Sequence, residues 1–168
     1  MKKMLFFTAT ITVLLLTANT SFAQKKNQLE GVWKVVEVII SSKDSTSTVS
    51  TPQPGLIIFT KGYYSILAVR ADKARTAVEP AKDPQNLTDA EKIARYDSWR
   101  PFTANSGTYE VKGSTISMHP IVAKNVDVMT RQTPLTDEFK LEGTNTLRVH
   151  PIDTSSAPQV RVKLIRVE

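Results

Sequence analysis

The sequence predicts an all-β protein, an antiparallel up-and-down β-barrel of about eight to ten strands with one helix between the third and fourth strands. Three observations predict it. Short β-branched and aromatic runs recur along the chain with few residues between them. Glycines separate several of them, as at Gly113 and Gly143, where tight antiparallel turns need positive φ. Only one stretch carries a helical pattern with its own capping residues. Closing the sheet removes its exposed edges, and a lone helix is then expected across one mouth or side.

Residues 1–23 stand apart from that fold. Lys2 and Lys3 precede an apolar run, residues 5–16 (LFFTATITVLLL), and Ser21-Phe22-Ala23 places small residues at the −3 and −1 positions. This is the pattern of a secretory signal peptide cleaved before Gln24. The run is shorter than the ~20 apolar residues of a membrane span, so no membrane anchor is expected. A lipoprotein signal would need a cysteine, and the chain has none. The expectation is a periplasmic or secreted bacterial protein whose mature domain is residues 24–168.

The mature domain reads element by element. Residues 31–40 (GVWKVVEVII) form the strongest strand, largely apolar and β-branched. The Ser-, Thr- and Pro-rich residues 41–53 read as a loop. Residues 56–60 and 63–69 flank Lys61-Gly62 as a hairpin. A polar, Pro-containing loop over 70–85 follows, then a helix over 87–100. Thr88 and Glu91 have the capping-box spacing, and Pro101 ends the helix. Further strands are expected at 107–112, 114–121, 126–133, 137–141, 146–152 and 159–167.

Charge and composition exclude several functions. The formal charge is +6, but Lys2 and Lys3 belong to the leader and the remaining charges are interspersed. A nucleic-acid binder would gather Lys and Arg on one face, so none is expected as partner. Without cysteine there are no thiolate metal sites or disulfides, and stability must come from a hydrophobic core. A mature chain of about 145 residues is long enough for one.

The residues Leu29-Glu30-Gly31-Val32-Trp33 carry a Gly-x-Trp opening to the first strand. Residues 55–60 (GLIIFT), 62–65 (GYYS), 106–111 (SGTYEV) and 139–143 (FKLEG) follow in order. This series resembles the bacterial lipocalin-like domain family, and the likeness spans residues 29–168. The resemblance implies a lipocalin-like calyx for a small apolar ligand. It also implies an arginine of the last strand lying over the buried tryptophan at the barrel floor, the positions of Arg166 and Trp33. Strand parity agrees, because Val160, Val162, Leu164 and Arg166 share one face.

No catalytic motif is present: there is no G-x-S-x-G, H-E-x-x-H, P-loop or dinucleotide fingerprint. His119 and His150 lack metal-ligand spacing, so neither a metal nor a cofactor is expected. Parity turns His119 outward. If Trp33 faces inward, so do Val35, Glu37 and Ile39, which places a carboxylate inside an apolar barrel. The ligand-binding residues expected are therefore Glu37, Tyr63 and Tyr109 as polar contacts, with Met118 and Phe139 as walls. The function expected is that of a monomeric exported protein holding a small, largely apolar molecule. Two alternatives stand beside it: a barrel isomerase or cyclase, and an interaction or inhibitor protein with a filled barrel. The sequence shows no enzyme signature.

Overall fold

The computed structural model describes residues 27–152 and 158–168; the expected export signal, residues 1–23, lies outside them. The elements run β1 (Gly31–Ser41), β2 (Thr46–Val49), β3 (Gly55–Phe59), β4 (Tyr63–Val69), α1 (Asp89–Trp99), β5 (Phe102–Lys112), β6 (Thr115–Ala123), α2 (Val126–Met129), β7 (Leu135–Glu142), β8 (Thr146–Pro151) and β9 (Gln159–Arg166). All pairings are antiparallel, in the order β2-β1-β3-β4-β5-β6-β7-β8-β9. Strand β1 also pairs along its length with β9, which closes β1 and β3 to β9 into an eight-stranded barrel.

Two segments differ from the sequence reading. Residues 41–53 contain the strand β2. The lower half of β1 pairs with β3 and its upper half needs another partner on that edge, which Thr46–Val49 supplies. The turn between them is tied by the Ser42 amide donating to the Ser45 carbonyl at 2.8 Å. With β2 in place, the helix lies between the fourth and fifth strands, not the third and fourth. Residues 126–133 form no strand. Asn125 accepts from the Asp127 amide at 3.0 Å as an N-cap and starts the single turn α2. The strand expected over 126–133 is therefore replaced by this capped turn and the segment after it.

Helix α1 begins with the capping box expected. The Thr88 hydroxyl accepts from the Glu91 amide, and the Glu91 carboxylate accepts from the Thr88 amide at 2.8 Å. No residue of α1 is buried, so tertiary tethers hold it rather than an apolar face. Lys124 donates to the carbonyls of Trp99, Arg100 and Phe102, neutralising the negative end of the helix. Arg75 donates to the Ser98 carbonyl at 2.9 Å and stacks on Trp99 and Phe102.

The core is a single cluster around Trp33, with Leu29, Ile57, Phe59, Tyr64, Tyr109, Ile116, Met118, Leu147, Val149 and Leu164. Its lower end is closed. The Trp33 indole donates to the Leu29 carbonyl at 2.7 Å, and the Arg166 guanidinium lies 4.1 Å from the Trp33 ring centre. Arg166 also donates to the carbonyls of Gln28, Glu30 and Thr144. The N-terminal turn is thereby locked across the barrel floor. The desolvated cation–π contact contributes about 2 kcal/mol.

Candidate functional site

The barrel's inner face is apolar except at three strands, β4, β5 and β7. Tyr64 on β4 faces Gly107 on β5, and two positions further up Asn105 on β5 pairs with Ile66 on β4. Such diagonal neighbours are within reach of each other's side chains. Tyr64 is only 3% exposed and Asn105 8%, and the Tyr64 hydroxyl and the Asn105 Oδ1 have no hydrogen-bond partner. A buried polar atom left so costs about 1–3 kcal/mol.

Asp137 on β7 is the third group. It pairs with Ile116, which is fully buried on β6, and with Pro151 on β8. Its strand alternates Leu135, Asp137, Phe139 and Leu141 on one face, and the three apolar members pack against the core. Asp137 is carried inward with them. Burial pushes its carboxyl up to about 6, against the weaker pull of His150 and Arg70. Tyr64 is pushed up to about 12, first by burial and then by the charge of Asp137.

Glycine at position 107 makes part of this geometry. Between β5 and β6 the register shifts, so that Ser106 pairs with Val122 and Gly107 with Pro120. A Cβ at Gly107 would run into the carbonyl of His119. The close approach leaves only a glycine opposite Tyr64, whose ring turns inward.

Above Asn105 a cleft opens between the helices. It has a volume of about 520 Å³ and runs between Tyr96 and Trp99 of α1 on one side and Val126 and Val128 of α2 on the other, with Asn105 in its wall. A larger cleft of about 640 Å³ lies outside the barrel, between the loop over 71–80 and α1. It contains none of the three inward polar residues, whereas the smaller cleft is lined by one of them, Asn105, together with Arg100 and Lys124.

The sequence-expected residues fall in three places. Met118 and Phe139 are on the inner face, Met118 buried between Tyr109 and Leu135, and Phe139 opposite Val149. Tyr109 is inward but belongs to the floor. Its hydroxyl accepts from the Asn27 amide group at 2.7 Å and donates to the Thr60 carbonyl at 3.0 Å. Its ring meets Phe59 at 5.0 Å. Tyr63 corrects the expectation: it is 59% exposed, and its neighbour Tyr64 is the inward tyrosine. The hairpin register, Phe59 opposite Tyr64, decides between the two.

Glu37 is the second correction. The β1–β9 register slips between Val35 and Glu37, so that Val36 is an extra residue in β1. Beyond this bulge Val38 pairs with Val162 on the inner side, and Glu37 stands beside Lys163 on the outer side. Its carboxylate lies 3.8 Å from Arg148, which also holds Glu142 at 2.9 Å. Glu37 is thus part of an exterior ion-pair cluster. His150, at 2.9 Å from Glu138, belongs to the same outer surface, and His119 is exposed.

Asp137, Tyr64 and Asn105 escaped the sequence reading, yet parity carried the signal. Asp137 shares its strand face with Phe139, and Asn105 shares its own with Tyr109. Asp137 follows once Phe139 is placed inside, and Asn105 once Tyr109 is.

The comparisons with known proteins agree with this architecture. A family model described as a lipocalin-like domain matches residues 30–162. No curated protein matches the sequence. Among solved structures, a lipocalin-like protein from Bacteroides uniformis is similar at 16% identity, covering 83% of this chain and 99% of that one, with a TM-score of 0.44. An uncharacterised protein from Bacteroides eggerthii is similar at 10% identity, covering 82% and 98%, with a TM-score of 0.41. A redesigned β-barrel is similar at 12% identity, covering 84% and 93%, with a TM-score of 0.42. Those likenesses are too distant to carry an argument, and the assignment rests on the family match over most of the chain. The chain belongs to the lipocalin-like domain family.

Proposed function

We propose that this protein is an exported, monomeric binder of a small, largely apolar molecule, which enters between α1 and α2 and lodges against the inner face of the barrel. The observation that carries the reading is Asn105, a buried residue with an unpartnered amide oxygen in the wall of a cleft of about 520 Å³. Below it Ile66, Met118, Leu135, Phe139 and Val149 offer apolar surface, and Tyr64 and Asp137 offer the few polar groups that orient a ligand. Of the residues expected from sequence, Met118 and Phe139 remain in this proposal as walls. Export to the periplasm or beyond, through the leader over residues 1–23, and action without a cofactor belong to the same reading.

Ligand binding should raise the melting temperature or quench Trp fluorescence in a screen of apolar molecules with varied polar heads. A flat response across the screen would contradict it. One observation favours a second reading, an acid–base isomerase or cyclase. Asp137, with its carboxyl near pH 6, is suited to moving a proton at neutral pH. Turnover of a bound molecule, lost in Asp137→Asn while binding persists, would select that reading.

A further inference from the structure

The cleft between α1 and α2 holds charge of one sign. Arg100 and Lys124 line it, and no Asp or Glu does. Lys124 is engaged locally: its Nζ donates to the carbonyls of Trp99, Arg100 and Phe102, where it offsets the negative end of α1. Arg100 is not so engaged. Its exposed side chain meets Asp97 at 3.8 Å from Nε, longer than a hydrogen bond, and the terminal nitrogens of the guanidinium are left for another acceptor.

Asn105 stands beside this cation. The Lys124 amide donates to the Ala104 carbonyl at 2.8 Å, while its Nζ reaches the Arg100 carbonyl at 3.1 Å. The backbones at Arg100 and Asn105 are therefore separated by the length of a lysine side chain. Asn105 is buried, and its Oδ1, which can only accept, has no partner. Tyr96, Trp99 and Val126, all exposed, line the same cleft. A cation, an unmet acceptor and apolar surface thus share one opening.

We infer that the ligand is an acidic amphiphile: a carboxylate with an O–H or N–H donor on the adjacent carbon and an apolar body. The carboxylate pairs with Arg100, the donor meets the Asn105 Oδ1, and the body covers Tyr96, Trp99 and Val126. This rests on the reading that the cleft admits a small, largely apolar molecule, and adds the chemistry of its head. A guanidinium fork matches a carboxylate, and such charge-assisted bonds are roughly twice as strong as neutral ones. A plain carboxylate has no donor and leaves the Asn105 oxygen unmet. An alcohol meets that oxygen but not the charge, and an ammonium would meet Arg100 as a like charge.

The test uses 2-hydroxydecanoate, N-octanoylglycine, decanoate, decanol and decylamine, each below the concentration at which it self-assembles, with binding followed by calorimetry on the wild-type chain. The tighter of the first two should exceed decanoate about ten-fold, a difference of about 1.4 kcal/mol, and its identity tells whether a hydroxyl or an amide supplies the donor. Decanoate should exceed decylamine about three-fold or more, by a margin that shrinks with added salt because Arg100 is exposed. Arg100→Gln should bring decanoate and decylamine together, and Asn105→Leu should remove the ten-fold advantage over decanoate. The wild-type ranking and the salt series involve no substitution. Equal affinity for decanoate and decylamine, or a preference for decylamine, overturns the acidic head while leaving the binding reading in place. Two donor-bearing acids that bind no tighter than decanoate, or an advantage that survives Asn105→Leu, overturn the inference in the same way. No binding of any of the five, the neutral alcohol included, overturns it together with the binding reading.

Discussion

Asp137 has an energetic consequence independent of any ligand. Its carboxyl titrates near 6 in the folded protein against an ordinary value of 3.8, because burial disfavours the charge. Between those values the folded state holds a proton that the unfolded state has lost, so stability falls as pH rises through the window. The cost is complete above about pH 6 and absent below about pH 4. Asp137→Asn should therefore stabilise the protein at neutral pH, by on the order of 2–3 kcal/mol at most, and leave it unchanged in acid. Thermal melts across that range check the sign; a variant that is less stable at neutral pH would show that the carboxylate is satisfied after all. At the other end of the barrel, Trp33→Ala should cost about 3–5 kcal/mol as a large core truncation. Arg166→Ala should cost less, because the indole stays buried, but should still lower the melting temperature through loss of the ring contact and of three carbonyl partners. Chemical denaturation of both variants measures the order.

The elements differ in what holds them, and that decides how legible each was. The barrel strands bury one face each and their alternation is visible in the sequence, as in Val160, Val162, Leu164 and Arg166. The capping box of α1 is a local pattern and was equally plain. Two features depend on partners distant in the chain and were not legible. β2 is a strand because the upper edge of β1 lacks another partner. The bulge at Val36 inverts the faces of everything after it, and with them the expected place of Glu37. A single extra residue has no signature in a run of valines and isoleucines. The tether of α1 is likewise a long-range matter, since Lys124 comes from the end of the β6 segment to bond three carbonyls beyond Tyr96. Lys124→Ala should loosen α1 by about 1 kcal/mol while leaving the barrel intact. Hydrogen exchange should then quicken across Asp89–Trp99 and stay unchanged in β1 and β9; unchanged protection of α1 would show that Arg75 alone suffices.

At the scale of the whole molecule, the two ends of the barrel do different things. One end is sealed by Trp33, Leu29, Tyr109 and Arg166, each with its polar atoms paired. The other carries both helices and the cleft between them, with the unpartnered Asn105 Oδ1 in its wall. On the proposed reading stability and binding belong to opposite ends, and substitutions at one end should spare the other. The most direct measurement is native mass spectrometry of the protein isolated from its own cells, beside its Asn105→Leu variant. The account predicts a protein mass that begins at Gln24, a further small mass retained by the wild-type chain, and loss of that mass in the variant. A wild-type protein that never carries an added mass, even after incubation with decylamine, decanol and decanoate, would contradict it.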